Sequence, residues 1–594
     1  METDVNCLAK WMLKRSSCDI EQLSRRIGCS RIILEILANR GFKTEEEIDK
    51  FINSTTDDLY SPSLFKDMAK GVLAVKESVR NGEKITVYGD YDVDGVMSSY
   101  ILYSALSRCG ANVSSYIPHR ELEGYGMNNE SIYRLKSEGT ELIITCDNGI
   151  ASVEQIDLAR SLGMKVVVTD HHEVAYETDE NGTRCVRLPD ANAIINPKQP
   201  DCPYPFKLLC AGAIAYKFAC ALYKEFGIDE SEALEFMEYA AIATICDVVD
   251  LVDENRIIAK RGLEMLRTTK NKGLNALIER AGLTKSNLGT YHVGFIIGPC
   301  INATGRLERA TISLELLLCK DDEEAAVLAE RLVTLNEERK QLTEKGVERV
   351  AEIIERMHGD DRVILAYDEL LHESIAGIVA GRIKEAYNMP AIVLTNGKDM
   401  IKGSARSIEK YNMFEKLSEC SELIEKFGGH PMAAGLSLKH ENIEKLRRKL
   451  NELCGLTPDD IEPIIRIDKR LSLEEISFDL FESIKMLEPF GKGNPTPIFA
   501  EKNIRVVGVR LLGKSCNVLK LTCIRKGNGE KLEAVSFGGA KKFEELIRQR
   551  FGDSLYDDII SKGKCSFDMD FVYTIGLNEY MGRKSLQLIL KDFR

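Results

Sequence analysis

Residues 84–95 read KITVYGDYDVDG, a short β-rich run that ends in a turn carrying three aspartates. A helical pattern over Val96–Ser107 follows this turn. Three further apolar runs predict strands at Val113–Ile117, Glu141–Cys146 and Lys165–Thr169. Short apolar strands that alternate with helices are typical of a parallel α/β sheet buried on both faces.

Acidic residues and histidines follow three of these strands and the helical pattern Glu235–Cys246. Ligands of an open parallel sheet bind beyond the carboxyl ends of its strands, so these side chains are expected to meet at one edge. Three carboxylates within five residues repel one another in a cleft, and one or two divalent cations would relieve that repulsion. The candidate residues are Asp90, Asp92, Asp94, Asp147, Asp170, His171, His172 and Asp247.

The candidate ligands are oxygen and imidazole without thiolate, which favours Mn²⁺ or Mg²⁺ over zinc. Taken alone, GDYDVDG could be a solvated acidic turn, and DHH occurs by chance. The turn also begins like a calcium-binding EF-hand loop, but the acid that closes such a loop would fall near Tyr100 or Ile101. The combination of acids and histidines at neighbouring strand ends therefore predicts a metal site.

The rest of the chain divides into three patterns. Asp321–His358 has an apolar stripe at helical spacing and predicts a long helix that bridges two lobes. A second α/β segment runs from about Arg362 to Cys454. From about Ile461, five short strands separated by Gly and Asn turns predict a small barrel such as an OB-fold.

Composition limits the class of protein. The net charge is −13, yet residues 501–594 carry +6, which indicates either a local polyanion surface or a chance excess. The 17 cysteines include no C-x-x-C pair, so a disulfide framework or zinc site has little support. No apolar run approaches the ~20 residues that span a membrane, and we expect a soluble cytoplasmic protein.

The motifs GDYDVDG, TCDNG and DHHE, in this order, resemble those of the DHH phosphoesterase superfamily. Longer segments resemble its RecJ branch of nucleases, with His119, Cys246 and Thr304 at positions where the family more often has asparagine, alanine and alanine. The segments are IPHRELEGYGMN (Ile117–Asn128), LCAGAIAYK (Leu209–Lys217), ATICDVVDL (Ala243–Leu251), GPCINATGRL (Gly298–Leu307), HESIAGIVAGRI (His372–Ile383), GSARS (Gly403–Ser407), FGGHPMAAG (Phe427–Gly435) and LEPFGKGNPTPIF (Leu487–Phe499).

The resemblance implies an α/β fold with a parallel-sheet DHH lobe, an α/β DHH-associated lobe, a long helix that joins them and a C-terminal β-barrel of the OB type. The expected parts are a helical lead-in (1–70), the DHH catalytic domain (71–310), the connecting helix (311–360), the DHH-associated substrate-binding domain (361–456) and the OB-fold nucleic-acid-binding domain (457–594).

The resemblance also assigns roles to individual residues. Asp92, Asp94, Asp147, His171 and Asp247 would ligate two metal ions, and Asp90 would be a ligand or support one. Asp170 would orient the histidines, while His172 and Arg306 would act on the scissile phosphate. The remaining substrate contacts would be Asn302, His372, Arg382, Ser404, Arg406, Gly428, Gly429 and His430.

Some assignments have an ordinary structural alternative. Glycine lacks a Cβ, so Gly428 and Gly429 could offer backbone N–H groups to a phosphate at close range, or simply form a turn. Tyr91, Tyr125 and Phe427 could stack on bases or belong to the core.

The activity implied by the resemblance is a 5′→3′ exonuclease that is specific for single-stranded DNA, uses Mn²⁺ or Mg²⁺ and releases 5′-mononucleotides during DNA repair and recombination. A single-strand-binding protein and a helicase would be possible partners, and no membrane partner is expected. One rival is a phosphodiesterase of short oligonucleotides or a pyrophosphatase, although such enzymes lack a basic barrel. The other is a non-catalytic single-strand-binding scaffold, which typically loses metal ligands.

Overall fold

The computed structural model describes residues 9–15, 29–120, 123–124, 126–178, 184–357, 359, 361–580 and 582–594. These residues form two compact units. The first unit contains Thr55–Ile461 with Gly491–Gly493, and the second contains the described residues between 9 and 54 with Glu462–Phe490 and Asn494–Arg594. In the part of the chain that the structure describes, no helix is long and apolar enough to cross a membrane.

A parallel five-stranded sheet forms the centre of the first lobe, residues 55–318. In spatial order its strands are Asn112–Tyr116, Lys84–Tyr88, Thr140–Cys146, Lys165–Thr169 and Ala193–Ile195. A hairpin of Ala175–Thr178 and Arg184–Arg187 follows the fourth strand in sequence.

Helices cover both faces of this sheet, as its near-continuous apolar strands predict. One face packs on the helices Asn129–Ser137 and Val153–Ser161. The larger core lies on the other face, and its helices are Met68–Arg80, Val93–Arg108, Ala211–Phe226, Met237–Cys246, Asp253–Leu266, Lys272–Arg280, Gly298–Leu307 and Thr311–Leu318.

The predicted long helix spans Asp322–Arg356 and is called the connecting helix. It begins at Asp321, whose side chain accepts hydrogen bonds from the N–H groups of Glu323 and Glu324. Its first half contributes to the core of the first lobe, while Val347 and Val350 pack in the second lobe. The helix therefore joins the two lobes through both of their cores.

The second lobe, residues 361–456, contains a mixed five-stranded sheet. The strands, in spatial order, are Lys426–His430, Ala433–Leu438, Ile401–Arg406, Ala391–Asn396 and Ile364–Tyr367. Only the last two pair in parallel. The helices of this lobe are Ala376–Tyr387, Met413–Ser418 and Ile443–Glu452.

The second compact unit is built on five strands that pair in a closed ring, as the prediction of a small barrel requires. These strands are Phe499–Leu512, Val518–Ile524, Lys531–Phe537, Arg583–Phe593 and Lys564–Tyr580. Lys469–Arg470 adds to the first of them, and Lys10–Leu13 pairs in parallel with Ile464–Ile467. The helices are Arg31–Asn39, Glu45–Asn53, Phe478–Lys485, Ala540–Phe551 and Asp553–Lys562.

The described part of residues 1–70 is divided between the two compact units and does not form a single segment. Apolar residues of Arg31–Asn39 and Glu45–Asn53 pack in the core of the second compact unit, whereas Thr55 onward belongs to the first. Lys10–Leu13 is a strand, not a helix or turn, because its backbone pairs with a strand that is distant in sequence.

A buried ion pair in the first lobe makes one prediction about stability. Lys217 Nζ lies 2.5 Å from a carboxylate oxygen of Glu254, and both side chains are at most 2% exposed. Replacing Lys217 by alanine leaves a buried charge without its cation, so we expect a loss of about 3–5 kcal/mol in the free energy of unfolding. Chemical denaturation followed by circular dichroism measures this loss.

The matched control is Lys562→Ala, which removes the exposed pair that Lys562 forms with Asp558. Surface pairs of this kind contribute about 0–1 kcal/mol. Equal effects of the two substitutions would contradict the assignment of Lys217 and Glu254 to a desolvated pair.

Candidate metal centre and substrate cleft

The loop after strand Lys84–Tyr88 folds its three aspartates tightly against the sheet edge. Asp92 begins the helix Val93–Arg108, and its Oδ1 accepts a hydrogen bond from the N–H of Gly95 at 3.0 Å. A Cβ on Gly95 would lie 2.5 Å from the carbonyl oxygen of Asp90, so only glycine allows this approach.

Asp94 is held by a second helix. Its two carboxylate oxygens each accept a hydrogen bond of 2.7 Å, one from the N–H of Ala211 and one from that of Gly212. These donors belong to the first turn of Ala211–Phe226, where N–H groups have no partner within the helix and favour an anion.

His171 occupies the middle of the acidic cluster. Its Nε2 lies 3.2 Å from Asp147 Oδ1 and 3.7 Å from Asp94 Oδ2, while its Nδ1 lies 3.7 Å from Asp247 Oδ2. Asp147 has a backbone φ of 63°, an uncommon value for a residue other than glycine, which turns its side chain at the strand end.

Three overlapping sets of side chains place ligand atoms within 4.8 Å of one another. The sets are Asp90, Asp92 and Asp147; Asp94, His171 and Asp247; and Asp147, His171 and His172. Asp90 Oδ1 is buried and has no hydrogen-bond partner among the described residues. The donors and this unsatisfied oxygen fit a divalent cation that prefers oxygen and imidazole ligands.

Crowding raises the pKa of most of these carboxyl groups. Burial, followed by the charges of Asp94, Asp92 and other aspartates, raises the pKa of Asp147 well above its usual value. Burial and neighbouring aspartates also raise the pKa of Asp94 to about 7 and that of Asp247 to about 8. A bound cation would favour the ionised forms.

Asp170 and His172 differ from this cluster because they neutralise each other. Asp170 Oδ1 accepts hydrogen bonds from His172 Nδ1 at 2.8 Å and from the backbone N–H groups of His171 and His172. Burial opposes both charges. The hydrogen bond from His172 and its positive charge nevertheless lower the pKa of Asp170 to about 2. In return, the hydrogen bond to Asp170 and its negative charge raise the pKa of His172 to about 9.

A cleft with a cavity volume of about 440 Å³ lies between the two lobes. Beside it, Arg306 of the first lobe reaches the second lobe, since its Nη1 donates a 2.7 Å hydrogen bond to the carbonyl oxygen of Ser374, a residue that lines the cleft. The predicted contacts that line the cleft are Ser404 and Gly428, together with the aromatic candidates Tyr91 and Phe427.

Positive charge gathers at the cleft and beside it: Arg120, Lys402 and Lys426 line the cleft, and Arg306 and Arg406 lie near Arg120. The Arg120 guanidinium lies over the Tyr91 ring, 5.0 Å from its centroid. Burial, then the charges of Arg120 and Arg339, lower the pKa of Arg306 to about 10, and burial followed by Arg120 lowers that of Arg406. Crowded cations of this kind favour the binding of an anion such as a phosphate.

The other predicted contacts occupy different positions. The Oδ1 atom of Asn302 accepts from the N–H of Val93 and so supports the acidic loop. His372 bonds to Ser374 in the cleft wall. Arg382 lines a separate groove with Arg339, between the connecting helix and Ala376–Tyr387.

Three predicted contacts lie on strand Lys426–His430: Gly428, which lines the cleft, and next to it Gly429 and His430. Gly429 has a φ of 150°, and a Cβ there would lie 2.3 Å from the carbonyl oxygen of Ala433, so its backbone conformation requires glycine. Burial and the charge of Arg406 lower the pKa of His430. The aromatic candidate Tyr125 lies outside the described residues.

Sequence reasoning missed several residues at the site. Arg120, Lys402 and Lys426 line the cleft but were given no role, although Arg120 belongs to the quoted segment IPHRELEGYGMN. The amides of Ala211 and Gly212 belong to LCAGAIAYK, and no side-chain pattern could reveal backbone donors.

The chain matches three family models: the DHH family N-terminal domain over residues 84–244, the DHHA1 domain over residues 360–456 and the RecJ OB domain over residues 467–592. It is 36% identical over 588 residues to the single-stranded-DNA-specific exonuclease RecJ of Bacillus subtilis, and the match covers 98% of this chain and 70% of that protein. The chain belongs to the RecJ family.

Solved structures of RecJ proteins share this fold. The crystal structure of RecJ in complex with Mn²⁺ from Thermus thermophilus superposes with a TM-score of 0.79 at 24% identity, covering 98% of this chain and 79% of that one. A structure of exonuclease RecJ bound to manganese is 30% identical, with a TM-score of 0.57, and covers 67% of this chain and 96% of that one.

Substitution of Asp147 is expected to have opposite effects with and without metal. The raised pKa means that ionised Asp147 costs stability at neutral pH, so Asp147→Asn should raise the unfolding midpoint in EDTA by about 2 °C or more. With Mn²⁺ the wild type should be the more stable protein, because the variant loses a ligand. Thermal unfolding under both conditions tests this reversal.

The control for this experiment is Asp190→Asn, whose side chain is 80% exposed. It should leave both midpoints unchanged. A variant at residue 147 that gains as much stability from Mn²⁺ as the wild type would contradict the site.

Proposed function

We propose that the chain is a metal-dependent exonuclease that degrades single-stranded DNA in the 5′→3′ direction and releases 5′-mononucleotides. The observation that carries this proposal is the pairing of a buried acidic cluster, including the unsatisfied Asp90 Oδ1, with an adjoining cleft that the cationic residues Arg120, Lys402 and Lys426 line. Membership of a family whose relatives are named single-stranded-DNA-specific exonucleases supports it.

Asp90, Asp92 and Asp147 would hold one Mn²⁺ or Mg²⁺ ion, and Asp94, His171 and Asp247 would hold a second. Metal ions bound there would lower the pKa of a water molecule and stabilise charge on the phosphate. The amides of Ala211 and Gly212 orient the Asp94 carboxylate for this role.

His172 supplies a positioned donor beside this cluster. Its Nδ1–H donates to Asp170, which fixes the ring, and Nε2–H would donate to an oxygen of the scissile phosphate. The raised pKa keeps the ring protonated at neutral pH, so it stabilises charge that grows during the reaction. Arg306, fixed by its bond to Ser374, would contact the same phosphate.

The cleft accounts for the choice of a single strand. A cavity of about 440 Å³ is the size of a small-ligand pocket and would hold a terminal nucleotide rather than a base pair. Ser404, Arg406 and the N–H of Gly428 would contact the terminal phosphate, while Tyr91 or Phe427 would meet the base. A phosphate-selective end pocket is what an exonuclease with fixed polarity requires.

The domain roles follow from this function. Residues 71–310 would form the catalytic domain, 361–456 the substrate domain and 457–594 the nucleic-acid-binding domain, with 311–360 joining them. The +6 charge of residues 501–594 would hold the trailing strand and make binding weaken with salt. A helicase and a single-strand-binding protein are expected partners in repair and recombination in the cytoplasm, since the enzyme would need an opened duplex.

The direct test is a single-stranded oligonucleotide labelled at either end and incubated with Mn²⁺, Mg²⁺ or EDTA beside a blunt duplex. We expect the 5′ label to be released as mononucleotide only with metal, while the duplex is spared. Cleavage that is confined to very short oligonucleotides would instead favour a small-oligonucleotide phosphodiesterase. Binding without cleavage would favour a scaffold.

Replacing His172 by glutamine should lower kcat by about 10²–10⁴-fold, because the variant keeps a polar side chain but cannot carry a proton. Mn²⁺ binding, measured by calorimetry, should persist if His172 serves the phosphate rather than the metal. His440→Gln, at an exposed histidine of the second lobe, is the matched control and should retain wild-type kcat. Loss of Mn²⁺ binding in the His172 variant would overturn its assigned role.

A further inference from the structure

Two aromatic rings that the proposed mechanism does not use are exposed side by side on the first lobe. Tyr291 is 63% exposed and Phe295 is 69% exposed. Their ring centroids lie 5.2 Å apart with an interplanar angle of 25°, so the rings are stacked. Single exposed apolar side chains are common on protein surfaces, whereas a stacked pair presents one larger aromatic face to solvent.

The backbone beneath the rings has an unusual geometry. Thr290–His292 is followed by a π-helical turn, Val293–Ile297, that leads directly into the helix Gly298–Leu307. The N–H of Gly298 donates to the carbonyl oxygen of Val293, five residues back, and Pro299 has no N–H to restore the α-helical pattern. Such π-turns occur frequently at functional sites.

This turn packs on the residue that precedes a candidate metal ligand. The Sγ of Cys246 contacts the carbonyl oxygen of Val293, and a Cβ on Gly298 would lie 2.4 Å from that Sγ. Asp247 comes next in the chain and belongs to the acidic cluster. The aromatic pair is thus fixed to the metal centre through the end of the helix Met237–Cys246.

The same helical run carries two residues of the site. Phe295 precedes Asn302 by seven residues and Arg306 by eleven in one continuous helical run. Seven residues correspond to about 10 Å of helix axis, or roughly three stacked nucleotide steps of 3.4 Å. Arg306 is eleven residues from Phe295, or about 16 Å of helix axis, so a strand that has one nucleotide at Arg306 would reach the aromatic pair after about five more.

We propose that Tyr291 and Phe295 form a base-stacking platform for the single-stranded substrate, a few nucleotides from the scissile phosphate. This inference rests on the proposed function and adds a substrate-binding site outside the cleft. Aromatic faces bind bases of any sequence, as a non-specific exonuclease requires. The platform would hold the strand in register while the terminal nucleotide is removed and the next one enters the cleft.

The test uses the full-length chain with Tyr291 and Phe295 both replaced by alanine, together with a long single-stranded oligonucleotide. We expect KM to rise by about tenfold or more while kcat and Mn²⁺ affinity stay near wild-type values, because base stacking contributes to binding and not to the chemistry. Both rings are exposed, so their removal should leave the fold intact.

Oligonucleotides with a single abasic position, moved stepwise from the degraded end, would locate the platform. Wild-type KM should rise at one or two abasic positions a few nucleotides from that end, and the alanine variant should be insensitive there. A variant with the rings exchanged, Tyr291→Phe with Phe295→Tyr, should keep the wild-type KM and abasic profile, because both aromatic faces remain. Tyr133→Ala, at a residue that is 55% exposed on a different helix, is the matched control.

The outcomes separate the two proposals. If the wild type degrades the oligonucleotide and the alanine variant has the same KM and abasic profile, the platform is refuted and the proposed nuclease function stands. In that case the exposed aromatic pair would instead be a candidate contact for a protein partner. If the wild type degrades no oligonucleotide, the proposed function is wrong, and so is the platform proposal that rests on it.

Discussion

Repulsion among buried carboxylates at the carboxyl edge of the parallel sheet is the constraint on which the first lobe depends. Asp90, Asp94 and Asp147 are each at most 3% exposed, and the pKa of each is raised by burial and by its neighbours. The fold maintains this arrangement with backbone devices: helix amides on Asp94 and a positive φ at Asp147. A divalent cation converts the same repulsion into ligand binding, so the strain of the metal-free site and its affinity for metal have one origin.

In the cleft the repulsion is between positive charges instead of carboxylates. The charge of Arg120 helps to lower the pKa of both Arg306 and Arg406, and an entering phosphate would relieve this repulsion as a cation relieves that of the carboxylates. Asp170 and His172 lie beside the acidic cluster and neutralise each other's charge. Their pKa shifts therefore oppose those of the surrounding groups. Substrate and metal each neutralise one half of the site, and binding of either should favour binding of the other.

Much of this arrangement could be predicted from the sequence, because strands that end in Asp or His motifs mark the edge where ligands gather. The strands Lys84–Tyr88 and Lys165–Thr169 were predicted with their observed bounds, and the helical pattern Asp321–His358 agrees with the observed helix within two residues at each end, whereas the part 311–360 assigned to the connecting helix began eleven residues too early. Strand Lys10–Leu13 was missed, since its pairing with Ile464–Ile467 depends on contacts distant in sequence. Arg382 was grouped with the cleft by motif, yet it lines another groove, because spacing along the chain does not determine where a helix turns its side chains. The aromatic pair at Tyr291 and Phe295 had a weak sequence signal, two rings four residues apart before a Gly-Pro pair.

The number of protons exchanged when Mn²⁺ binds near pH 7 tests the role of carboxylate repulsion most directly. Because burial and like charges raise the pKa of Asp94 to about 7 and that of Asp247 to about 8, the metal-free site holds protons that a cation must displace. Titration calorimetry in two buffers of different ionisation enthalpy counts them. We predict net proton release at pH 7, declining as the pH is raised through these values. Tight Mn²⁺ binding without proton release would show that the carboxylates are already ionised in the metal-free protein, and it would contradict the central role of their mutual repulsion.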